Sequence, residues 1–202
     1  MNWENQYLTE ETPWDKGAPA PPLLEWIEKN PNTLGGSILV PGCGSGHDVR
    51  SLASKTDSEH IVGLDISPTA VKQAMSIEPV GGESYLVADL FNLPQEQREA
   101  YDWVWEHTCF CAIDPELRDQ YVEAVHGALK PDGHLLAVFY LNPYDNEHPR
   151  GEGPPHGTSE EELRERFEQS GKFTILESYV PQKAYPGREG LELTVKMQRR
   201  GT

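Results

Sequence analysis

The chain has 202 residues, a net charge of −16 and a pI near 4.8. That length suits a single domain, 1–202, with a sizeable core, and the acidic excess argues against nucleic acid or an anionic membrane surface as a partner. No segment approaches the ~20 apolar residues of a membrane span, the N-terminus lacks the basic and apolar regions of a secretory signal, and three cysteines make no disulfide framework, which fits a reducing cytoplasm.

Residues 1–17 carry Trp3, Tyr7 and Trp14 without an apolar period, so 1–32 reads as an N-terminal arm followed by a short helix. Pro21–Lys29 is that helix, with Pro at its start and Leu23, Trp26 and Ile27 on one stripe. Ile38-Leu39-Val40 is a buried-type strand. It runs into the turn Gly42-Cys43-Gly44-Ser45-Gly46 and then a helix from His47 to Lys55. A glycine turn between a strand and a helix N-terminus lets a ligand approach the backbone closely. The second strand, Ile61–Ile66, carries Asp65 at its tip, 19 residues past Gly46. Ser67-Pro68 starts a helix as cap and first residue. Ser84–Ala88 is the third strand, with Asp89 at its end, and Tyr101–His107 is the fourth. Asp114-Pro115 opens an amphipathic helix that Lys130-Pro131-Asp132-Gly133 terminates.

Leu135–Tyr140 is a fifth strand, apolar throughout and so buried on both faces. A long loop is expected over Pro143 to Gly157. Thr158 or Ser159, with an acid three residues on, then caps a helix through Glu168. Phe173–Val180 and Leu191–Met197 are closing strands joined by a loop with Tyr185-Pro186-Gly187-Arg188. Strands and helices alternate until this last pair, which needs no helical crossover if antiparallel. The prediction is an α/β fold: a seven-stranded, mostly parallel sheet with one antiparallel strand near its edge and helices on both faces. Ligands of such sheets bind beyond the carboxyl ends of the strands. That rule selects Pro41–Gly46, Asp65, Asp89, Glu106-His107 and Tyr140. An acid at the tip of the second strand suits the two hydroxyls of a ribose.

Several motifs stand in a distinctive order: Trp3-x3-Tyr7, Thr12-Pro13-Trp14-Asp15, Leu39-Val40-Pro41-Gly42-Cys43-Gly44-x-Gly46-His47-Asp48, Val62-Gly63-Leu64-Asp65-Ile66-Ser67, Asp89-Leu90-Phe91, Phe110-Cys111-Ala112-Ile113 and Gly153-Pro154-Pro155. With them the chain resembles the class I S-adenosylmethionine-dependent methyltransferases. More narrowly, it resembles the thiopurine S-methyltransferase-like family and its plant thiol, thiocyanate and halide methyltransferase branch. The resemblance implies S-adenosylmethionine as cofactor, with S-adenosylhomocysteine as product. It implies that Trp3, Tyr7 and Trp14 form a lid over the cofactor. Gly42, with Gly44 in the same turn, would sit beside the cofactor's amino-acid portion. Asp65 would hold the ribose, Asp89 and Leu90 would frame the adenine, and His107 would stand on the cofactor side, where it can titrate.

Methyl transfer from a sulfonium is an in-line displacement that needs proximity, alignment and exclusion of water, and no metal. A soft anion such as thiocyanate, halide or bisulfide needs no base, whereas a neutral thiol or thiopurine needs a proton acceptor. Tyr140 and His156 are the candidate catalytic groups, and Arg188 is a candidate to close the site. Cys109 and Cys111, one residue apart, would point to opposite faces of a strand, which is poor metal geometry; Cys43 and Cys111 read as packing. The expected partner is a small-molecule acceptor of a monomer. An NAD-dependent oxidoreductase is the alternative, but Gly42-x-Gly44-x-Gly46 lacks the G-x-G-x-x-G spacing. A cofactor-binding protein without turnover is the other.

Overall fold

The computed structural model describes residues 1–141 and 153–201. The strands are β1 (Gly35–Pro41), β2 (Asp57–Asp65), β3 (Glu83–Val87), β4 (Tyr101–His107), β5 (Leu129–Tyr140), β6 (Phe173–Tyr179) and β7 (Glu192–Arg199). They form one sheet in the order β3-β2-β1-β4-β5-β7-β6. Among the described strands only β7 runs against its neighbours, pairing antiparallel with both β5 and β6. The expected α/β architecture is therefore the observed one. The chain enters β7 from β6 through a loop, which permits the reversal.

Alternation along the central strands divides their side chains between two cores. Leu39, Val104, Leu135, Ala137 and Phe139 face one core, with Tyr121, Val122 and Val125 of α5 (Arg118–Ala128). Ile38, Val40, Trp103, Trp105, Leu136 and Val138 face the other. There they meet Leu23 and Trp26 of α2 (Pro21–Lys29) and Val49 and Leu52 of α3 (His47–Lys55). Helices thus cover both faces, and the central strands are buried between them, while β3 and β6 at the edges stay partly exposed. α4 (Pro68–Met75) starts as expected, Ser67 Oγ accepting from the Ala70 amide at 3.1 Å.

Three local expectations change. Residues 1–17 contain a regular element, α1 (Trp3–Leu8), capped by the Asn2 side chain on the Asn5 amide. Tertiary anchors described below hold it where no apolar period does. The helix expected through Glu168 is a short α6 (Glu160–Leu163) that continues as a π-helix over Arg164–Gln169. The wider turn carries Phe167 into an aromatic cluster, with ring centroids 5.9 Å from Phe110 and 5.7 Å from Phe139 and Phe173. Lys130 to Gly133 do end α5, but as a bulge inside β5: Leu129 pairs with Tyr101, and His134 with Trp103. The loop expected over Pro143 to Gly157 lies outside the described residues as far as residue 152.

Asp48 joins α3 to its surroundings. Its carboxylate accepts from the Ala20 amide at 2.7 Å and Trp105 Nε1 at 2.8 Å, and it lies 3.5 Å from His107 Nδ1. Burial alone would raise its pKa, but these partners hold it below the ordinary carboxylate range. A depressed folded-state pKa gives stability that is present above the unfolded value of about 3.9 and lost as pH falls through the folded one. The stability difference between wild type and Asp48→Asn, measured by urea unfolding, should therefore shrink below about pH 4. A constant difference down to pH 2 would count against this reading.

Candidate active site

A cavity of about 480 Å³ opens at the carboxyl ends of β1, β2 and β4. Ligand pockets commonly fall between about 300 and 1,000 Å³. One side is the turn after β1. Gly42, Gly44 and Gly46 there adopt φ values of 61°, 53° and 80°, a region open chiefly to glycine. Gly42 lines the cavity. Gly44 does not; a Cβ on it would come within 2.9 Å of the Tyr7 hydroxyl, so it seats the arm instead.

The floor holds the two strand-end acids. Asp65, 6% exposed, accepts from the Gly44 amide and the Ser67 amide, both at 2.9 Å. Burial raises its pKa and those amides partly offset the rise. Asp89 accepts from the Phe91 amide at 2.9 Å and Asn92 Nδ2 at 2.8 Å, which caps a single turn beginning with Leu90. Each carboxylate oxygen has two lone pairs, so each acid keeps acceptor capacity for hydroxyl or amino donors in the cavity.

The arm forms the roof. Trp3, Tyr7 and Trp14 all line the cavity. Trp14 donates to the Tyr7 hydroxyl at 3.1 Å and packs edge-on to Trp3, with centroids 5.3 Å apart. Two carboxylates fasten this roof. Glu4 accepts from Ser67 Oγ at 2.5 Å, Thr69 Oγ1 at 2.6 Å and the Thr69 amide at 3.1 Å. Asp15 accepts from Ser45 Oγ at 2.5 Å and pairs with His47 at 3.1 Å.

The remaining wall comes from Thr108 to Ile113 and from Pro154-Pro155, with Arg188 beside them. Cys109 and Cys111 lie in this turn, beyond the end of β4 at His107, and both reach the cavity. Burial pushes the Cys111 thiol up to about 12 and Cys109 well above its usual value, so both stay protonated and poorly nucleophilic. Thr108 has φ 66°, an outlier for a β-branched residue, and its strain falls on the cavity wall.

His107, Tyr140 and His156 are not among the residues that line the cavity. The His107 ring faces Asp48 and Tyr185, and its Nε2 is buried without a hydrogen-bond partner among the described residues. Tyr140 stands behind Arg188, whose guanidinium carbon is 4.9 Å from its ring centroid. His156 follows the wall residues Pro154-Pro155 and braces them from behind, donating its amide to the Cys111 carbonyl at 2.7 Å. Thr108, Cys109, Ile66 and Gln6, which also line the cavity, were not predicted as site residues; only their places next to strand ends and motif residues pointed to them. Among the described residues no three His, Cys, Asp or Glu side chains could hold a metal ion, and no helix is long and apolar enough to cross a membrane.

An antiparallel strand set between the last two parallel ones, a glycine turn after β1, an acid at the tip of β2 and another just past β3 together define a class I S-adenosylmethionine-dependent methyltransferase. Solved structures share the fold. One, from work on conversion of a disulfide bond into a thioacetal group during echinomycin biosynthesis, superposes with a TM-score of 0.74 at 22% identity, covering 98% of this chain and 90% of that one. Another is a Burkholderia thailandensis 1,6-didemethyltoxoflavin-N1-methyltransferase with bound S-adenosylhomocysteine, at TM-score 0.70 and 17% identity, covering 98% and 85%. The profile of the thiopurine S-methyltransferase (TPMT) family matches residues 1–195, and the chain belongs to that family. It is similar to the probable thiol methyltransferase 2 of Arabidopsis thaliana, 34% identical over 196 residues, 94% of this chain and 81% of that protein. It is also similar to the thiocyanate methyltransferase 1 of that plant, 36% identical over 144 residues, 68% of this chain and 60% of the other. The enzyme uses S-adenosylmethionine; neither the oxidoreductase nor the binding-only alternative finds support among these relatives.

Proposed function

We propose that the acceptor is a small soft nucleophile that reacts as an anion: a thiolate, thiopurine, thiocyanate, halide or bisulfide. The observation that carries this is the part of the cavity wall formed by Thr108, Cys109, Cys111 to Ile113, Pro154-Pro155 and Arg188. Its thiols are held protonated, and Arg188 is the single Arg or Lys among the described lining residues. That wall suits an acceptor arriving with its own negative charge and needing no base. The identities of the plant relatives support the same class.

In this reading Asp65 accepts from the ribose hydroxyls, and Asp89 and Leu90 border the adenine. Gly42 lies against the amino-acid portion, and Trp3, Tyr7 and Trp14 cover the whole. Bound S-adenosylmethionine supplies a methyl group already activated by its sulfonium. The chain's own work is to orient, to exclude water and to attract the acceptor. Arg188 does the last, held between Glu192 at 3.1 Å and the faces of Tyr140 and Tyr185. Tyr140 acts by supporting Arg188, and His156 by carrying the wall. Residues 1–17 serve as the lid of a 1–202 methyltransferase domain. Its three free thiols fit a cytoplasmic setting, and its charge of −16 fits a monomer.

An acceptor screen that follows S-adenosylhomocysteine release tests the acceptor class. Release with thiocyanate, iodide, bisulfide or a thiol is the expected result, and none with any of them would reject it. For the cofactor roles, Asp65→Ala should weaken S-adenosylhomocysteine binding by about 1.5–3 kcal/mol in calorimetry, the range for a hydrogen bond to a charged group. An affinity unchanged in a folded variant would remove Asp65 from the site.

A further inference from the structure

The wall that the acceptor faces is built from two segments far apart in sequence, residues 108–113 and Pro154-Pro155. Neither lies on the sheet. The amide of His156, the residue after Pro155, donates to the Cys111 carbonyl at 2.7 Å and ties the second segment to the first. A buried side chain behind the wall touches the first segment and the two residues that follow the second. Arg118, the first residue of α5, is 1% exposed and does not line the cavity. Its guanidinium carbon sits 4.5 Å from the centroid of the Phe110 ring, between the two wall cysteines in sequence. Its Nη2 donates to the His156 carbonyl at 2.9 Å and the Gly157 carbonyl at 3.2 Å.

The guanidinium is itself held from the far side. Nη1 donates to both carboxylate oxygens of Glu162 at 2.9 Å. Thr158 Oγ1 and Arg166 Nε bind the same carboxylate at 2.7 and 2.8 Å. Burial would raise the Glu162 pKa, but Arg118, Thr158 and Arg166 together hold it below the ordinary range, so it stays charged. Glu162 is the acid three residues after Ser159 that was expected to close a capping box. Its carboxylate goes to this clamp instead, while Ser159 Oγ alone caps the helix at 3.1 Å.

We propose that Arg118 is a positioning residue that sets the acceptor wall, so that acceptor turnover and acceptor preference depend on it while cofactor binding does not. The proposal rests on the acceptor-side reading given above. The physical ground is alignment: in-line transfer is steep in geometry, and a displacement of about 1 Å can cost about 100-fold in rate. A planar guanidinium can stack on a ring and bind carbonyls and a carboxylate at once; an ammonium cannot.

The test compares Arg118→Lys, Arg118→Met and Glu162→Gln with wild type. Three readouts are S-adenosylhomocysteine affinity, kcat/KM for a small and a bulky acceptor, and amide hydrogen exchange. Arg118→Met should lower acceptor kcat/KM by about 100-fold with cofactor affinity within about twofold. Arg118→Lys should recover part of that loss, and Glu162→Gln should lose about tenfold. In all three, exchange should quicken together in residues 108–113 and 153–158 and stay unchanged in the Gly42–Gly46 turn. If Arg118→Met does not fold, the other two variants decide. Equal losses in cofactor affinity and turnover, or wall segments whose exchange does not change, would overturn the proposal. A wild type that turns over no acceptor would reject the acceptor reading alone, since the exchange result still decides this one.

Discussion

A chain that begins at Ala18 is expected to stay folded and to bind S-adenosylhomocysteine about 100-fold more weakly, a loss of about 2.7 kcal/mol. The arm removed supplies Trp3, Tyr7 and Trp14 to the cavity, and stacking on an aromatic face is worth about 1–3 kcal/mol per base. Its polar anchors end on the edge of the site. Glu4 grips Ser67 and Thr69 at the start of α4, and Asp15 grips Ser45 and His47 at the glycine turn. Tyr7 is buried, but none of the arm's residues joins either hydrophobic cluster packed on the sheet. Losing it should therefore remove cover from the ligand and leave the packing of the sheet intact. A lid makes its best contacts only when closed over ligand, so ligand should also shift its population toward closure. Limited proteolysis of the full chain checks this: cleavage within residues 1–17 should be suppressed by S-adenosylhomocysteine. A truncated protein that unfolds, or one that binds as tightly as the full chain, would show the arm to be a fixed structural part.

Replacing Glu106 with alanine should destabilise the fold by about 3–5 kcal/mol. Glu106 is the penultimate residue of β4 and is 1% exposed. Its carboxylate accepts from the Phe110 amide at 2.8 Å and from the Tyr121 hydroxyl. Burial raises its pKa, with the Phe110 amide and Tyr121 hydroxyl opposing the rise. Alanine would leave a buried amide and a buried phenol unpaired, at about 1–3 kcal/mol each, and would open a cavity besides. Glu106→Gln, which keeps an acceptor in place, should lose only about 1–2 kcal/mol. Urea unfolding gives both numbers. A loss below about 1 kcal/mol for the alanine variant would mean that water or a shifted Tyr121 satisfies the two donors. Because Phe110 lies between Cys109 and Cys111, the alanine variant should also impair acceptor turnover more than its stability alone predicts.

Local pattern was enough for the elements whose cause is local. α2 and β4 span Pro21–Lys29 and Tyr101–His107 as expected, because a proline start, an apolar stripe and an apolar run are written in adjacent residues. The glycine turn, Asp65 and Asp89 were likewise legible, since strand order and the rule for ligand position follow from alternating elements. The motif order named the family for the same reason. Tertiary structure decided the rest. It brought Gly44 under Tyr7, put Cys109 and Cys111 on the cavity wall, and left His107, Tyr140 and His156 outside the lining. It also chose the partners of the buried charges: Asp48 meets Trp105 57 residues away, Arg118 meets Glu162 44 residues away, and Glu4 meets Ser67 63 residues away. A charged side chain in a sequence reads as solvated surface until the fold withdraws water from it. Only then must it find a partner, and no local pattern says which distant residue the sheet will set beside it.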